Sequence, residues 1–230
     1  MEIVGAVFAR GGSKGIPKKN LCKINGLSLV EIALEKLFQS NLCKEVFLCS
    51  DSKEILNTKS KFEFKKFQRD PSNCQDKSNE FDAWKELAMY LVQKKGYKKK
   101  DLLLIAPTTS PLRKLKTIIE IVNKLNNDPK ADGIICIKPS HWLPDFNLLR
   151  YDEDNFLNTY LEGDRKINRQ QAVKSWEMTT VAYCYRLSAI IHGEGIFNLK
   201  TIGYNVKFPE SLDIDIQDDL DLARYLFNYE

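Results

Sequence analysis

Short apolar runs alternate with amphipathic stretches along the 230 residues of the chain. Residues 3–9 (IVGAVFA), 46–50, 102–106 and 133–137 are continuous apolar runs of strand length, the pattern of strands covered on both faces. Residues 62–67 alternate more weakly and predict a short strand. Between these runs the period changes to that of a helix. Residues 28–38 carry Val30, Ala33, Leu34, Leu37 and Phe38 on one face, and Ser28 with Glu31 three positions later forms a capping-box signature. Residues 80–93 place Phe81, Trp84, Ala88, Leu91 and Val92 on one face, and residues 115–125 and 218–227 read as two further helices. Strand and helix in alternation predict an α/β fold: a mainly parallel sheet between two helical layers, in the Rossmann-like manner. In such sheets ligands bind beyond the carboxyl ends of the strands.

The rhythm loosens over residues 139–177. Trp142, Pro144, Phe146, Tyr151 and Phe156 lie there around an acidic run, with no clear helix. The stretch is too long for an ordinary connection. It reads as an arm or small subdomain inserted within a single domain of residues 1–230. Apolar structure resumes at residues 180–185.

Composition narrows the class. Hydrophobic residues are 43% and charged residues 29%, as in ordinary globular proteins, and no run approaches the length that spans a bilayer. Glu2 stands where a secretory leader carries positive charge, and the first apolar run breaks at Arg10, so a cytoplasmic location is expected. The net charge of +4 suits an anionic ligand and falls short of a nucleic-acid footprint. The six cysteines form no CxxC pair and most lie in apolar runs, as buried thiols do; two histidines are too few for a histidine zinc site.

Four stretches carry candidate chemistry. The first is Ala9-Arg10-Gly11-Gly12-Ser13-Lys14-Gly15-Ile16-Pro17-Lys18-Lys19-Asn20, at the end of the first strand. Glycines let backbone N–H groups turn toward an anion, and Arg10, Lys14 and Lys19 add charge-assisted bonds. The spacing matches neither the Walker A nor the dinucleotide pattern. The second is Asp213-Ile214-Asp215. As a strand it sets two carboxylates on one face, a pair that a divalent cation such as Mg²⁺ would reconcile with nucleotide phosphates; a solvated strand end is the alternative. The third, residues 106–113 (APTTSPLR), holds the hydroxyls of Thr108, Thr109 and Ser110 between prolines at another strand end. The fourth places Arg69 and Ser78 before a helix, Arg69 as a nucleotide contact and Ser78 as a contact or a helix cap.

Taken together, these residues resemble the CMP-sialic acid synthetases (acylneuraminate cytidylyltransferases). The likeness runs from the loop at residues 9–20 through Ser50-Asp51-Ser52, Arg69, Asp76 with Ser78 and residues 107–113 to residues 211–215, in the family's order. It implies a nucleotidyltransferase fold and a homodimer in which each subunit lends an arm to its partner, here residues 139–177. It implies transfer of CMP from CTP to the anomeric hydroxyl of an acidic 2-keto sugar, with release of pyrophosphate. By that resemblance Arg10, Gly11, Gly12, Ser13, Lys14, Lys19 and Asn20 would hold the CTP phosphates, and Arg69 and Ser78 the nucleoside. Asp213 and Asp215 would bind Mg²⁺, and Arg10, Lys19 and Asp215 would carry catalysis. Thr108, Thr109, Ser110, Arg169 and Gln170 would meet the sugar.

The sugar side departs from the pattern. Ala106 replaces the family's Gln, the proline-bounded loop has an extra Thr, and Glu177-Met178-Thr179-Thr180 replaces Arg-Pro-Asn-Gly. The expected acceptor is therefore a related nonulosonic acid, such as a legionaminic or pseudaminic type, or another acidic sugar, rather than N-acetylneuraminate. A CMP-Kdo-type or other sugar nucleotidyltransferase, and a non-catalytic sugar-nucleotide-binding scaffold, remain the alternatives.

Overall fold

A computed structural model describes residues 1–13, 15–70, 79–161, 170 and 172–228. Lys14, Asp76, Ser78 and Arg169 lie outside the described residues.

The chain divides into two compact units, one of Met1–Cys136 with Thr179–Glu230, the other of Ile137–Met178. The first unit is built on a mixed sheet. Its apolar runs become strands β1 (Ile3–Phe8), β4 (Glu45–Ser50) and β6 (Leu102–Ile105), and β5 (Lys65–Gln68) adds an edge. A two-residue ribbon, β2 (Lys23–Ile24) and β3 (Leu27–Ser28), lies apart from it. β7 (Gly133–Pro139), β10 (Trp176–Arg186) and β11 (Thr201–Asn205) complete the order β11-β7-β10-β6-β1-β4-β5. β1 pairs in parallel with β4 and β6, and β4 with β5; β10 runs antiparallel to β6, with Tyr183 opposite Ile105. The carboxyl ends of β1, β4, β5 and β6 therefore share one edge, where the amino half of β10 also arrives.

Alternation along the strands divides the side chains between two helical layers. Val7, Val46, Leu48, Leu102, Leu104, Ala182 and Cys184 pack in one buried cluster with α1 (Leu29–Gln39) and α4 (Leu115–Asn126). On the other face Trp84 of α3 (Glu80–Lys94) meets Tyr183 at 5.4 Å and Tyr185 at 5.9 Å between ring centroids. The predicted capping box on α1 forms in both directions: Ser28 accepts from the Glu31 N–H, and Glu31 accepts from the Ser28 N–H. Such a cap stabilises a helix by about 1 kcal/mol.

Four details differ from the sequence reading. The edge strand begins at Lys65, because Phe62 leaves the strand path to stack on Phe38 with centroids 4.8 Å apart. The cap of α3 is Asn79, whose side chain accepts from the Phe81 N–H. Asp213–Asp215 is not a strand and lies outside the sheet; its backbone is held by loops instead of a ladder. Short elements that periodicity cannot reveal are α2 (Lys53–Leu56), α5 (Leu187–His192) and the β2–β3 ribbon.

In the second unit the loosely patterned stretch contains a hairpin of β8 (Leu149–Tyr151) and β9 (Leu157–Thr159). Its apolar side chains are largely exposed: Trp142 at 61%, Tyr151 at 70%, Phe156 at 69% and Trp176 at 52%. The final helix of the first unit, α6 (Gln217–Phe227), starts where the Asp219 carboxylate accepts from the N–H groups of Asp215 and Ile216, each at 2.9 Å.

Candidate functional site

The glycine-rich loop leaves β1 at Phe8 and is fastened along its length. Ala9 N–H donates to Cys49 O, so the loop starts beside the end of β4. Gly11 N–H donates to Asp51 Oδ1 at 2.9 Å. A Cβ on Gly11 would meet Ser52 Cβ at 3.0 Å, which leaves little room for a side chain there. At the far end Asn20 is buried. Its amide donates to Arg10 O at 2.8 Å, and its Oδ1 accepts from Thr108 Oγ1 at 2.5 Å. Asn20 is thus a brace beneath the loop, joining it to the segment after β6. Arg10 and Gly12 are exposed on the loop, and Ser13 is half-buried.

The Asp213–Asp215 segment closes against this loop although almost two hundred residues separate them. Ile16 and Ile214 are buried in one small cluster with Ile24, Leu29, Ile32, Leu220 and Ala223. Lys19 Nζ donates to Ile214 O at 2.6 Å and lies 3.1 Å from Asp215 Oδ1. An ideal Cβ on Gly15 would stand 2.2 Å from Asp215 O, so only glycine allows the loop to lie this close. Main-chain bonds complete the arrangement: Ile214 N–H donates to Thr109 O, and Ser110 Oγ donates to Leu212 O at 3.1 Å.

The two aspartates differ. Asp215 is exposed and paired with Lys19. Asp213 is half-buried, and its Oδ1 is buried with no hydrogen-bond partner among the described residues. An orphaned carboxylate oxygen two residues from a second carboxylate in the chain is a donor pair that suits a hard divalent cation. Among the described residues no three His, Cys, Asp or Glu side chains gather to hold a metal unaided. A cation here would take its remaining oxygens from phosphate and water.

The segment after β6 contributes a hydroxyl cluster. Thr109 Oγ1 donates to Thr180 Oγ1 at 3.1 Å, and Thr180 Oγ1 lies 2.7 Å from Ser110 Oγ. Of the three predicted hydroxyls, Thr108 and Ser110 are buried in these braces and Thr109 is the more open. Arg113, from the same segment, is 1% exposed. Its Nη2 donates to Pro107 O, while Nε and Nη1 have no partner among the described residues. Burial pulls its guanidinium down to about 10, so the group stays charged at neutral pH, with Glu210 and Asp213 among the acidic groups that favour the charge.

Arg69 is buried just beyond β5, its N–H donating to Ser50 O. Arg69 and Arg10 both lie within electrostatic reach of the Glu80 carboxylate at the start of α3. Gln170 is exposed in the second unit. Three residues of this edge escaped the sequence reading as site residues. Asp51 was readable as the acid following the second apolar run. Arg113 and Thr180 were reached only as members of the flagged stretches 106–113 and 177–180, with no role of their own.

The strand edge thus gathers Arg10, Lys19, Arg69 and the Asp213/Asp215 pair, an arrangement suited to a metal-bound polyphosphate. The chain has a close structural likeness to a CMP:2-keto-3-deoxy-manno-octonic acid synthetase complexed with CTP, with a TM-score of 0.71 at 15% identity over 100% of this chain and 99% of the other. In sequence it is 24% identical to the post-translational flagellin modification protein B of Campylobacter coli, over 98% of this chain and 94% of that protein. It is also 24% identical to the CMP-N,N'-diacetyllegionaminic acid synthase of Campylobacter jejuni, over 99% of this chain and 95% of that protein. The cytidylyltransferase family profile matches residues 4–175, about three quarters of the chain, and the protein belongs to that family of nucleotidyl-transferring enzymes.

Proposed function

We propose that the protein transfers CMP from CTP to the anomeric hydroxyl of an acidic nonulosonic sugar, of legionaminic or pseudaminic type, and releases pyrophosphate. The observation that carries this reading is the closure of Lys19 and Gly15 onto Ile214 and Asp215. It brings the glycine-rich cationic loop and the acidic pair together, as a shared phosphate-and-metal site requires. The relative named as a legionaminic acid synthase over nearly its whole length supports the acceptor class.

Attack on the α-phosphate places negative charge on its nonbridging oxygens and on the departing pyrophosphate. Arg10, Ser13 and the backbone around Gly12 face that charge from the loop, and Lys19 stands at its far end. Arg69 serves the nucleoside side. Gly11 is spoken for, since its N–H binds Asp51, and Asn20 acts by bracing. Asp213 and Asp215 would hold Mg²⁺, which when bound supplies charge neutralisation at the triphosphate. The proton of the attacking hydroxyl needs a local acceptor. His192 lies in α5, which follows β10 beyond the amino end of β6 and so stands at the opposite sheet edge. A carboxylate of the acidic pair is therefore our candidate to receive the proton.

Thr109 and Thr180 stand where the chain departs from the sialic acid enzymes, and we assign their hydroxyl cluster to the sugar side. We also propose a homodimer formed through residues 137–178. The exposed Trp142, Tyr151, Phe156 and Trp176 are the kind of apolar surface that marks an interface.

A panel assay tests the reading. Pyrophosphate release is measured from CTP and Mg²⁺ with legionaminic, pseudaminic, N-acetylneuraminic and 3-deoxy-manno-octulosonic acids in turn. The account expects the highest kcat/KM with legionaminic or pseudaminic acid. A preference for N-acetylneuraminate or the octulosonic acid overturns the acceptor assignment, and no release with any acid overturns the enzyme reading.

A further inference from the structure

We propose that Lys19 is a placeholder cation: it neutralises Asp215 and caps the Ile214 carbonyl while the site lacks nucleotide, and it passes to the nucleotide phosphates when a divalent cation arrives with them. The inference rests on the reading of Asp213 and Asp215 as a metal-holding pair. It adds that the ammonium and the metal compete for the same carboxylate, so that metal and nucleotide bind cooperatively.

The geometry carries it in three steps. Lys19 Nζ is committed to the acidic segment, 2.6 Å from Ile214 O and 3.1 Å from Asp215 Oδ1. A group promised to phosphate is thus bonded elsewhere. The side chain of Lys19 is 14% exposed and that of Asp215 is 74% exposed, so the carboxylate is open to a cation from solvent while the ammonium is sheltered. Next, the backbone at Lys19 is fixed. Its N–H donates to Ile16 O, its carbonyl accepts from Cys22 N–H, and the neighbouring Asn20 is braced to Arg10 and Thr108. A transfer of Lys19 to a phosphate therefore runs through its four-carbon side chain alone. Finally, the two acids are unequally served: Asp215 has Lys19, while Asp213 Oδ1 has no partner among the described residues. A divalent cation on this pair meets a like charge at Asp215 until Lys19 leaves, and a phosphate is the group that rewards its leaving.

Coupling of this kind is reciprocal. CTP, by drawing Lys19 away, tightens the metal; the metal, by displacing Lys19, tightens CTP. A lysine that merely braced the loop would show neither effect, and its loss would loosen both ligands.

Mn²⁺ serves as the probe, its free concentration followed by electron paramagnetic resonance in the absence of any turnover. The proteins are wild type, Lys19→Met, Lys19→Gln and Asp215→Asn, each checked for native fold by circular dichroism. Without nucleotide, both Lys19 variants are expected to bind Mn²⁺ about threefold or more tightly than wild type, since a like charge is removed from beside an exposed carboxylate. Adding a nonhydrolysable CTP analogue tightens Mn²⁺ in wild type and does so far less in the Lys19 variants. Unchanged or weakened Mn²⁺ binding in both Lys19 variants, with Asp215→Asn still impaired, overturns the placeholder role alone. Mn²⁺ binding that Asp215→Asn leaves intact overturns the metal assignment on which it rests.

Discussion

The hydroxyl of Thr108 donates to Asn20 Oδ1 at 2.5 Å, across 88 residues of sequence. That bond, with the one from Asn20 to Arg10 O, ties the loop after β1 to the segment after β6. Replacing Asn20 by Ala leaves a buried hydroxyl and a loop carbonyl without partners. The expected cost is about 1–3 kcal/mol of stability. Chemical denaturation should show it as a lower midpoint, and the KM for CTP should rise as Arg10 loses its support.

Gly15 is held 2.2 Å, measured to an ideal Cβ, from the backbone carbonyl of Asp215. Gly15→Ala must therefore push the loop and the acidic segment apart. Because a backbone atom is the obstacle, no side-chain rotation relieves it. Calorimetric titration with Mg²⁺ and CTP should show affinity lower by about tenfold or more, the effect of a small displacement in a positioned site. By contrast Gly12→Ala, which meets nothing within 4 Å, should keep its fold and lose less.

Cys43 and Cys136 are pushed up to about 12 by burial, and Cys49 and Cys184 are raised still further for the same reason. A raised thiol pKa depletes the reactive thiolate, so all four should stay protonated and inert at pH 8. Iodoacetamide treatment of the native protein followed by mass spectrometry should leave these four unmodified and label all of them in urea. Labelling of Cys49 or Cys184 in the folded protein at a rate near that of a free thiol would contradict their burial.

The exposed aromatic residues of the second unit predict an association surface. On the proposed homodimer, Trp142→Ser with Phe156→Ser should shift the protein toward monomers in light scattering. It should leave the first unit's circular dichroism and thermal transition in place, because that unit has its own core.

Much of this architecture was legible in the sequence because its signals are local. Buried parallel strands appear as apolar runs, α1 announces itself through Ser28 and Glu31, and the loop through its glycines and cations. Asp213 and Asp215 could be paired by their spacing, yet their backbone is not a strand. What brings them to the loop is the shared burial of Ile16 and Ile214, a contact between distant segments that no local period encodes. The same limit hid the bonds of Asn20 to Arg10 and Thr108, which join segments far apart in sequence. The part played by Thr180 was hidden for that reason too: its partners, Thr109 and Ser110, meet it only once β6 and β10 lie side by side, whereas Arg113 binds Pro107 within its own segment. The departures at residues 106–110 and 177–180 showed where the chain differs from the sialic acid enzymes without showing what the hydroxyls of Thr109 and Thr180 do.

The most direct test of the central claim, that loop and acidic pair form one Mg–CTP site, is the Mg²⁺ dependence of pyrophosphate release in Asp213→Asn and Asp215→Asn. With the preferred acid at saturation, each variant should lose at least about a hundredfold in kcat/KM for CTP, on the scale of removing an electrostatic stabiliser of the transition state. Near-normal turnover of Asp215→Asn at saturating Mg²⁺ would contradict the account.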